Sequence, residues 1–289
     1  VVGRLEGPAP HTDCRRLTFG HPADTPHATS GPTSVANDNS QMKELAKTLL
    51  RPLREKLGRF VIDVDNYTGS NGCIHTGSSF VCWNQVEGDY LEFGVFRGAS
   101  FADAYRSLEK NRGIVRSAVK QTPAMKSWLN QPPRYIAFDS FAGLPPGEAA
   151  RQADYEPGAY ACSESEFRAN ISAAGVDMSR VITVPGMYDQ SLTQELKARI
   201  GLKQAALVMI DCDLYESTVP VLDFITDLVG QGTILIFHDW FRFKGSPEHG
   251  EQRACREWLA RNPQLELIEY WREGPQAMAF LVNLRRSGA

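Results

Sequence analysis

The sequence predicts a doubly wound α/β fold built on a mostly parallel sheet. Three observations predict it. Apolar runs of strand length alternate with segments of helical periodicity from residue 89 to residue 260. Two of those runs, 205–210 and 233–237, are apolar on both faces, as central parallel strands must be. Unusual polar residues (Glu92, Asp139, Asp211, Asp213, His238 and Asp239) fall at the carboxyl ends of the strands, where such sheets bind ligands.

Taken in order, residues 1–41 are rich in Pro, Thr, His and Gly and read as a loosely attached segment. They contain no apolar run, so no signal peptide is expected. Met42 opens a clean helical pattern and is a candidate native start. Leu45, Leu49, Leu50, Leu53 and Leu57 then form a stripe at helical spacing, interrupted by Pro52. Residues 67–79 are rich in Gly, Ser, Thr and Asn and read as a loop, a candidate cover for a cofactor. The helical extension and this loop make up 42–85.

Residues 89–100 organise the rest of the chain. Tyr90, Leu91 and Phe93 make a short buried strand that carries Glu92. Gly94 and Gly98 bracket a tight turn. Phe101, Ala104, Tyr105 and Leu108 then recur at helical spacing. A glycine turn lets a ligand approach the backbone. A carboxylate beside it would repel a pyrophosphate, so the turn suits a nucleoside-type cofactor without a phosphate chain. Residues 111–133 read as an insertion with a short helix near 115–129. The second strand, 134–138, ends in Asp139 and Ser140, and an acid at that position commonly takes ribose hydroxyls. Its distance from Glu92 exceeds the roughly 20 residues usual for such a pair, and the insertion accounts for the excess.

Residues 145–161 form an irregular stretch, read as a lid or binding loop. Ser163 and Glu166 make a capping box for a helix that stops at Gly175. A third strand covers 180–185, and a helix 189–200. The strand at 205–210 leads into Asp211-Cys212-Asp213 and a helix to Val229. The strand at 233–237 leads into His238-Asp239-Trp240, a loop and a helix at 251–260. Two last strands, 265–271 and 277–284, are joined by a turn with Gly274-Pro275 and read as an antiparallel pair.

Composition narrows the function. The chain has 289 residues, 42% of them apolar, which suffices for a sizeable core. A net charge of −3 offers no electrostatic case for nucleic acid or an anionic membrane. Six scattered cysteines without a Cys-x-x-Cys pair argue against a zinc ribbon or redox motif and point to a reducing, cytoplasmic compartment. No phosphate-binding loop, nucleophile elbow or His-Glu-x-x-His helix is present.

Asp211, Asp213, His238 and Asp239 would share one rim if their strands are neighbours. Carboxylates suit Mg²⁺; a histidine ligand shifts the preference towards Mn²⁺, Fe²⁺, Co²⁺ or Zn²⁺. His238 reads as a ligand or as a base, and Asp213 and Asp239 read also as caps of the helices that follow. Tyr215 and Trp240 are candidate pocket walls or plain packing. Arg97 meets a cofactor carboxylate or faces solvent. His75 and His249 read as surface histidines.

Three stretches carry a family resemblance: Glu-Gly-Asp-Tyr-Leu-Glu-Phe-Gly-Val-Phe-Arg-Gly-Ala-Ser at 87–100, Phe-Asp-Ser-Phe-Ala-Gly-Leu-Pro at 138–145, and Asp-Cys-Asp-Leu-Tyr-Glu-Ser-Thr at 211–218. In this order they resemble the macrocin O-methyltransferase (TylF) family of class I S-adenosylmethionine-dependent methyltransferases, over roughly residues 86–284. The resemblance implies a seven-stranded, Rossmann-like domain at 86–289 with an antiparallel C-terminal hairpin. It implies that Glu92, Gly94, Gly98 and Ser100 hold the methionine end of S-adenosylmethionine, with Asp139 and Ser140 at the ribose. It implies Mg²⁺ held by Asp211 and Asp239, Asp213 as base, and a sugar hydroxyl as methyl acceptor. Family members often form homo-oligomers. The family typically has two adjacent acids after the fifth strand, where this chain has His238-Asp239. The expected function is therefore O-methylation of a small hydroxylated natural product. The rivals are N- or C-methylation or a metal-free reaction on the same fold, a nicotinamide-dependent oxidoreductase, and a non-catalytic binding protein.

Overall fold

The computed structural model describes residues 71–118, 120–145 and 156–285, all within the unit that spans 62–289. The expected loose segment 1–41, the helix at 42–57 and the middle of the expected lid, 146–155, lie outside the described residues.

Five parallel strands form the centre: β1 (Asp89–Phe93), β2 (Tyr135–Asp139), β3 (Val181–Pro185), β4 (Ala205–Ile210) and β5 (Ile234–Phe237). β6 (Leu265–Glu273) and β7 (Ala277–Leu284) form the expected antiparallel hairpin, and β7 pairs antiparallel with β5. The order is β3-β2-β1-β4-β5-β7-β6. The winding reverses between β1 and β4, which opens a crevice beyond their carboxyl ends.

The described helices are α1 (Gly72–Trp83), α2 (Ala99–Arg116), α3 (Pro123–Leu129), α4 (Glu164–Ala173), α5 (Tyr188–Ser191), α6 (Gln194–Ile200), α7 (Tyr215–Ile225) and α8 (Gly250–Arg261). They cover both faces of the sheet, so each strand feeds two cores. In β2, Tyr135 and Ala137 face one core with Cys73, Ile74 and Leu108, while Ile136 and Phe138 face the other with Val221, Leu222 and Trp258. Each fully buried Ile, Leu or Phe contributes roughly 1.5–3 kcal/mol. Ser163 caps α4 as expected, its hydroxyl accepting the Glu166 N–H. No described helix is long and apolar enough to cross a membrane.

The structure corrects the reading of 72–79 as a loop, because these residues open α1. Cys73, Ile74, Gly77, Ser78, Val81 and Cys82 are its buried stripe. The small residues let the helix press on the sheet: a Cβ on Gly77 would lie 3.1 Å from side-chain atoms of Ile234 and Leu207. Its N-terminus is held from far along the chain, where the Glu273 carboxylate accepts the Asn71 and Cys73 N–H groups. Tertiary contacts override weak local propensity here. His75 is part of this helix rather than a surface loop, with Nδ1 3.2 Å from Ser107 Oγ. The supposed insertion is mostly helix as well, since α2 runs to Arg116 and α3 begins at Pro123. The expected helix at 189–200 is two pieces, α5 and α6.

One residue in α2 is a poor fit to its own helix. Gly113 is exposed, and a Cβ there would meet nothing within 4 Å. Glycine inside a helix costs roughly 0.5–1 kcal/mol relative to alanine, so Gly113→Ala should raise Tm by about 1–4 °C. Calorimetry checks this; a lower Tm would show that the helix end is held in another way.

Candidate active site

A cavity of about 640 Å³ opens at the carboxyl ends of the parallel strands. Gly94 follows β1 on its wall, Asp139 ends β2 and Ser140 follows it, Gly186 and Tyr188 follow β3, Asp211 and Asp213 follow β4, and His238 and Asp239 follow β5. Glu92, Gly98 and Ser100 are not among its lining residues.

The β1–α2 turn is packed against its neighbours. Gly94 has φ 86°, and its N–H donates to Phe138 O at 2.9 Å. A Cβ on Gly94 would lie 1.8 Å from Asp211 O. Gly98, at φ 85°, is the N-cap of α2, and a Cβ there would lie 2.5 Å from Ile171 Cγ2. The glycines therefore seat the turn against β4 and α4, and Gly94 also lines the cavity. Glu92 is fully enclosed, and its carboxylate accepts from Tyr90 and Ser100 hydroxyls. Burial pushes Glu92 up to about 8 against the pull of those two hydrogen bonds. Glu92 and Ser100 thus tie β1 to the start of α2 from behind the wall.

Asp139 clasps the turn from β2. Its Oδ2 accepts Val95 N at 2.8 Å and Phe96 N at 3.2 Å, and its Oδ1 accepts Phe141 N at 2.7 Å. Ser140 Oγ donates to Gly143 O at 2.8 Å and accepts from Ala142 N at 3.0 Å, closing the turn after β2. Beyond that turn Leu144 and Ala159 pair through the Leu144 N to Ala159 O bond at 3.0 Å, with Gly158 N returning to Leu144 O at 2.9 Å. This places Tyr160 on the cavity wall against Phe96, ring centroids 5.8 Å apart.

On the other side, donor atoms of Asp211, His238 and Asp239 all lie within 4.8 Å of one another, a group able to hold a metal ion. His238 Nδ1 is 2.9 Å from Asp211 Oδ1 and 3.8 Å from Asp239 Oδ2. Burial alone would lower the imidazole, but its hydrogen bond to Asp211 and the negative charges of Asp211 and Asp239 push it up to about 12. The reverse holds at Asp239, where burial would raise the carboxyl but His238, Asp213 and Arg242 hold it below the usual carboxylate range. Burial pushes Asp211 up. Asp213 sits in the left-handed region at φ 60°, a strained conformation that clusters at functional sites. Neither Asp213 nor Asp239 caps a following helix: Leu214 precedes α7 and His249 precedes α8.

Two residues of this cluster escape a reading of the sequence. Arg242 Nε donates to Asp239 Oδ1 at 3.0 Å. Glu251, at the start of α8, accepts the Asp239 N–H at 3.0 Å. Both come from the loop and helix after β5, and only the Asp–x–x–Arg spacing hints at the first. The other candidates settle into packing. Trp240 packs tilted against Phe237 and edge-on against Phe280, and the Tyr215 hydroxyl donates to Glu257 at 2.7 Å. Arg97 faces solvent near Glu166. His249 stacks on Phe243. Cys212 and Cys255 are buried, and burial pushes both thiols up, away from reactivity.

Residues 72–257 match the model of the macrocin-O-methyltransferase (TylF) family. Among curated proteins, the 8-demethyl-8-(2,3-dimethoxy-alpha-L-rhamnosyl)-tetracenomycin-C 4'-O-methyltransferase of Streptomyces olivaceus is 27% identical over 175 residues, 58% of this chain and 57% of that protein. The chain thus spans little more than half the length of this relative. Among solved structures, the O-methyltransferase NovP superposes with a TM-score of 0.55 at 22% identity, over 72% of this chain and 77% of that one. A calicheamicin methyltransferase superposes with a TM-score of 0.52 at 19% identity, over 90% and 99%. These two likenesses are of fold.

Proposed function

The chain belongs to the macrocin-O-methyltransferase (TylF) family, and from that premise we propose that it transfers a methyl group from S-adenosylmethionine to a hydroxyl of a small molecule, a sugar or a glycosylated natural product. The observation that carries the reading is one cavity lined both by Asp139 and by Asp211, Asp213, His238 and Asp239. The methyl acceptor of the Streptomyces olivaceus relative is, by its name, a rhamnosyl 4'-hydroxyl, which favours a sugar hydroxyl here.

The cofactor supplies a methyl group made electrophilic by its sulfonium sulfur. A carboxylate offers about four acceptor positions. Three at Asp139 take backbone N–H groups, which leaves one, on Oδ1, for a ribose hydroxyl. Gly94 and Ser140 line the cavity beside it, while Glu92, Gly98 and Ser100 support the turn from behind. The cation site fits its residues too. Asp239 Oδ2 is buried without a hydrogen-bond partner among the described residues, and Asp211 and His238 offer donors nearby. Two carboxylates suit Mg²⁺, and the imidazole widens the choice to Mn²⁺. Such a cation would supply Lewis-acid polarisation that lowers the pKa of a hydroxyl. Asp213 is the proton acceptor in this reading: it lines the cavity, whereas His238 Nδ1 is already engaged by Asp211. The protein's main contribution is alignment of hydroxyl and methyl group.

Thermal unfolding with S-adenosylhomocysteine tests this. At about 100 times its dissociation constant a ligand stabilises by about 2.7 kcal/mol, which is roughly 5–10 °C for a chain this size. A shift of that order, absent with NADH and followed by methylation of a rhamnoside acceptor that chelation stops, is the expected result. A shift with NADH alone would overturn the proposal in favour of an oxidoreductase. Methylation unaffected by chelation would remove the cation from it.

A further inference from the structure

Glu251 lies in the first turn of α8 and is 1% exposed. Acids in a helix's first turn normally sit at the surface, where water and free N–H groups stabilise them. This one is enclosed, and its Oε1 has no hydrogen-bond partner among the described residues. A buried carboxyl with one idle oxygen is unfavourable in itself. What it holds is informative.

His238 N donates to Ile210 O at 2.9 Å and so continues the β4–β5 ladder. The next N–H, that of Asp239, leaves the ladder and is taken by Glu251 Oε2 at 3.0 Å. Asp239 is gripped at two further points: its carbonyl accepts Arg242 N at 3.0 Å, and its Oδ1 accepts Arg242 Nε at 3.0 Å. Its backbone N–H, its carbonyl and one carboxylate oxygen are therefore engaged. The other oxygen, Oδ2, is buried without a hydrogen-bond partner among the described residues, and His238 and Asp211 offer their donors nearby. Glu251 is not itself one of that group of potential ligands.

We propose that Glu251 is a positioning residue of the cation site. By holding the Asp239 N–H from the α8 side, it fixes the direction in which Oδ2 is presented to a divalent cation shared with Asp211 and His238. The proposal rests on reading that group as a cation site. Small hard cations demand close geometry, and removing a group that orients a ligand typically costs about 10–100-fold in metal affinity.

The test uses the full chain with Glu251→Gln, which keeps an oxygen acceptor at the same reach, and Glu251→Met, which fills the same space without one. Mn²⁺ uptake is titrated by the paramagnetic resonance of the free ion. Exchange of the Asp239 amide is followed without metal. In Glu251→Met, Mn²⁺ affinity should fall about 10–100-fold and the Asp239 amide should exchange faster, with the shift in Tm on adding S-adenosylhomocysteine unchanged. Glu251→Gln should match the wild type in all three. A part that merely filled space would leave Mn²⁺ affinity unmoved in Glu251→Met. Unchanged Mn²⁺ affinity and amide exchange in Glu251→Met would overturn the proposal, as would damage in Glu251→Gln equal to that in Glu251→Met. If the wild type takes up no Mn²⁺, the cation site falls, and Glu251's assignment to it falls too. Amide exchange would then decide separately whether Glu251 holds Asp239.

Discussion

Asp211→Asn should lower kcat/KM about 1,000-fold, a loss of about 4 kcal/mol of transition-state stabilisation. It should abolish Mn²⁺ uptake and leave both the fold and the response to S-adenosylhomocysteine intact. The substitution keeps the shape of the side chain and an oxygen for His238 Nδ1, which now lies 2.9 Å away. It removes one of two carboxylates from the group that also contains His238 and Asp239. A neutral amide binds a hard cation weakly, so the effect falls on the reacting hydroxyl and not on the cofactor end of the cavity. Initial rates, Mn²⁺ titration and melting curves with S-adenosylhomocysteine separate these. A variant within about tenfold of the wild type, where even one uncompensated catalytic donor is worth about 100-fold or more, would sink the cation-assisted mechanism.

Gly94→Ala should be the most destabilising single methyl that can be added near the site. Two costs combine. Alanine at φ 86° carries roughly 1–2 kcal/mol of left-handed strain. The new Cβ would lie 1.8 Å from Asp211 O, and relieving an overlap of that kind costs typically 1–3 kcal/mol. The sum is about 4 kcal/mol, or about 8–16 °C in Tm. The clash is with backbone, so no side chain can swing away. It also pushes on the residue proposed as a cation ligand, and Mn²⁺ affinity should fall with Tm. Gly98→Ala is the milder comparison, since its Cβ would meet side-chain atoms of Ile171 and Phe167, the nearest at 2.5 Å, rather than backbone. Scanning calorimetry of the two variants decides; a Gly94→Ala protein that melts with the wild type would refute the packing argument.

Where the chain is locally consistent, its elements are legible. Ala-Ala-Leu-Val-Met-Ile at 205–210 is apolar throughout and becomes β4, buried at every position. Ser163 and Glu166 mark a helix start because a cap is a short-range interaction. The hairpin of β6 and β7 follows from two alternating runs around a Gly-Pro turn. The helix α1 is not legible in this way. Its sequence is that of a loop, and it is a helix because Glu273, 200 residues further on, caps Cys73 and because the sheet receives Gly77.

The site divides along the same line. Strand-end placement of Asp139, Asp211, Asp213, His238 and Asp239 is determined by the sequence alone, because a parallel sheet brings all its strand ends to one edge. The same logic places Gly94 beside them. Tertiary structure alone decided that Glu92 turns inward to Ser100, that Asp139 spends three of its acceptor positions on the backbone, and that Asp239 is gripped by Arg242 and Glu251. The physical reason is range. Periodicity and turn chemistry are set by neighbours a few residues apart and can be read along the chain. A buried carboxylate's partner is set by which elements pack together, and that depends on the whole sheet.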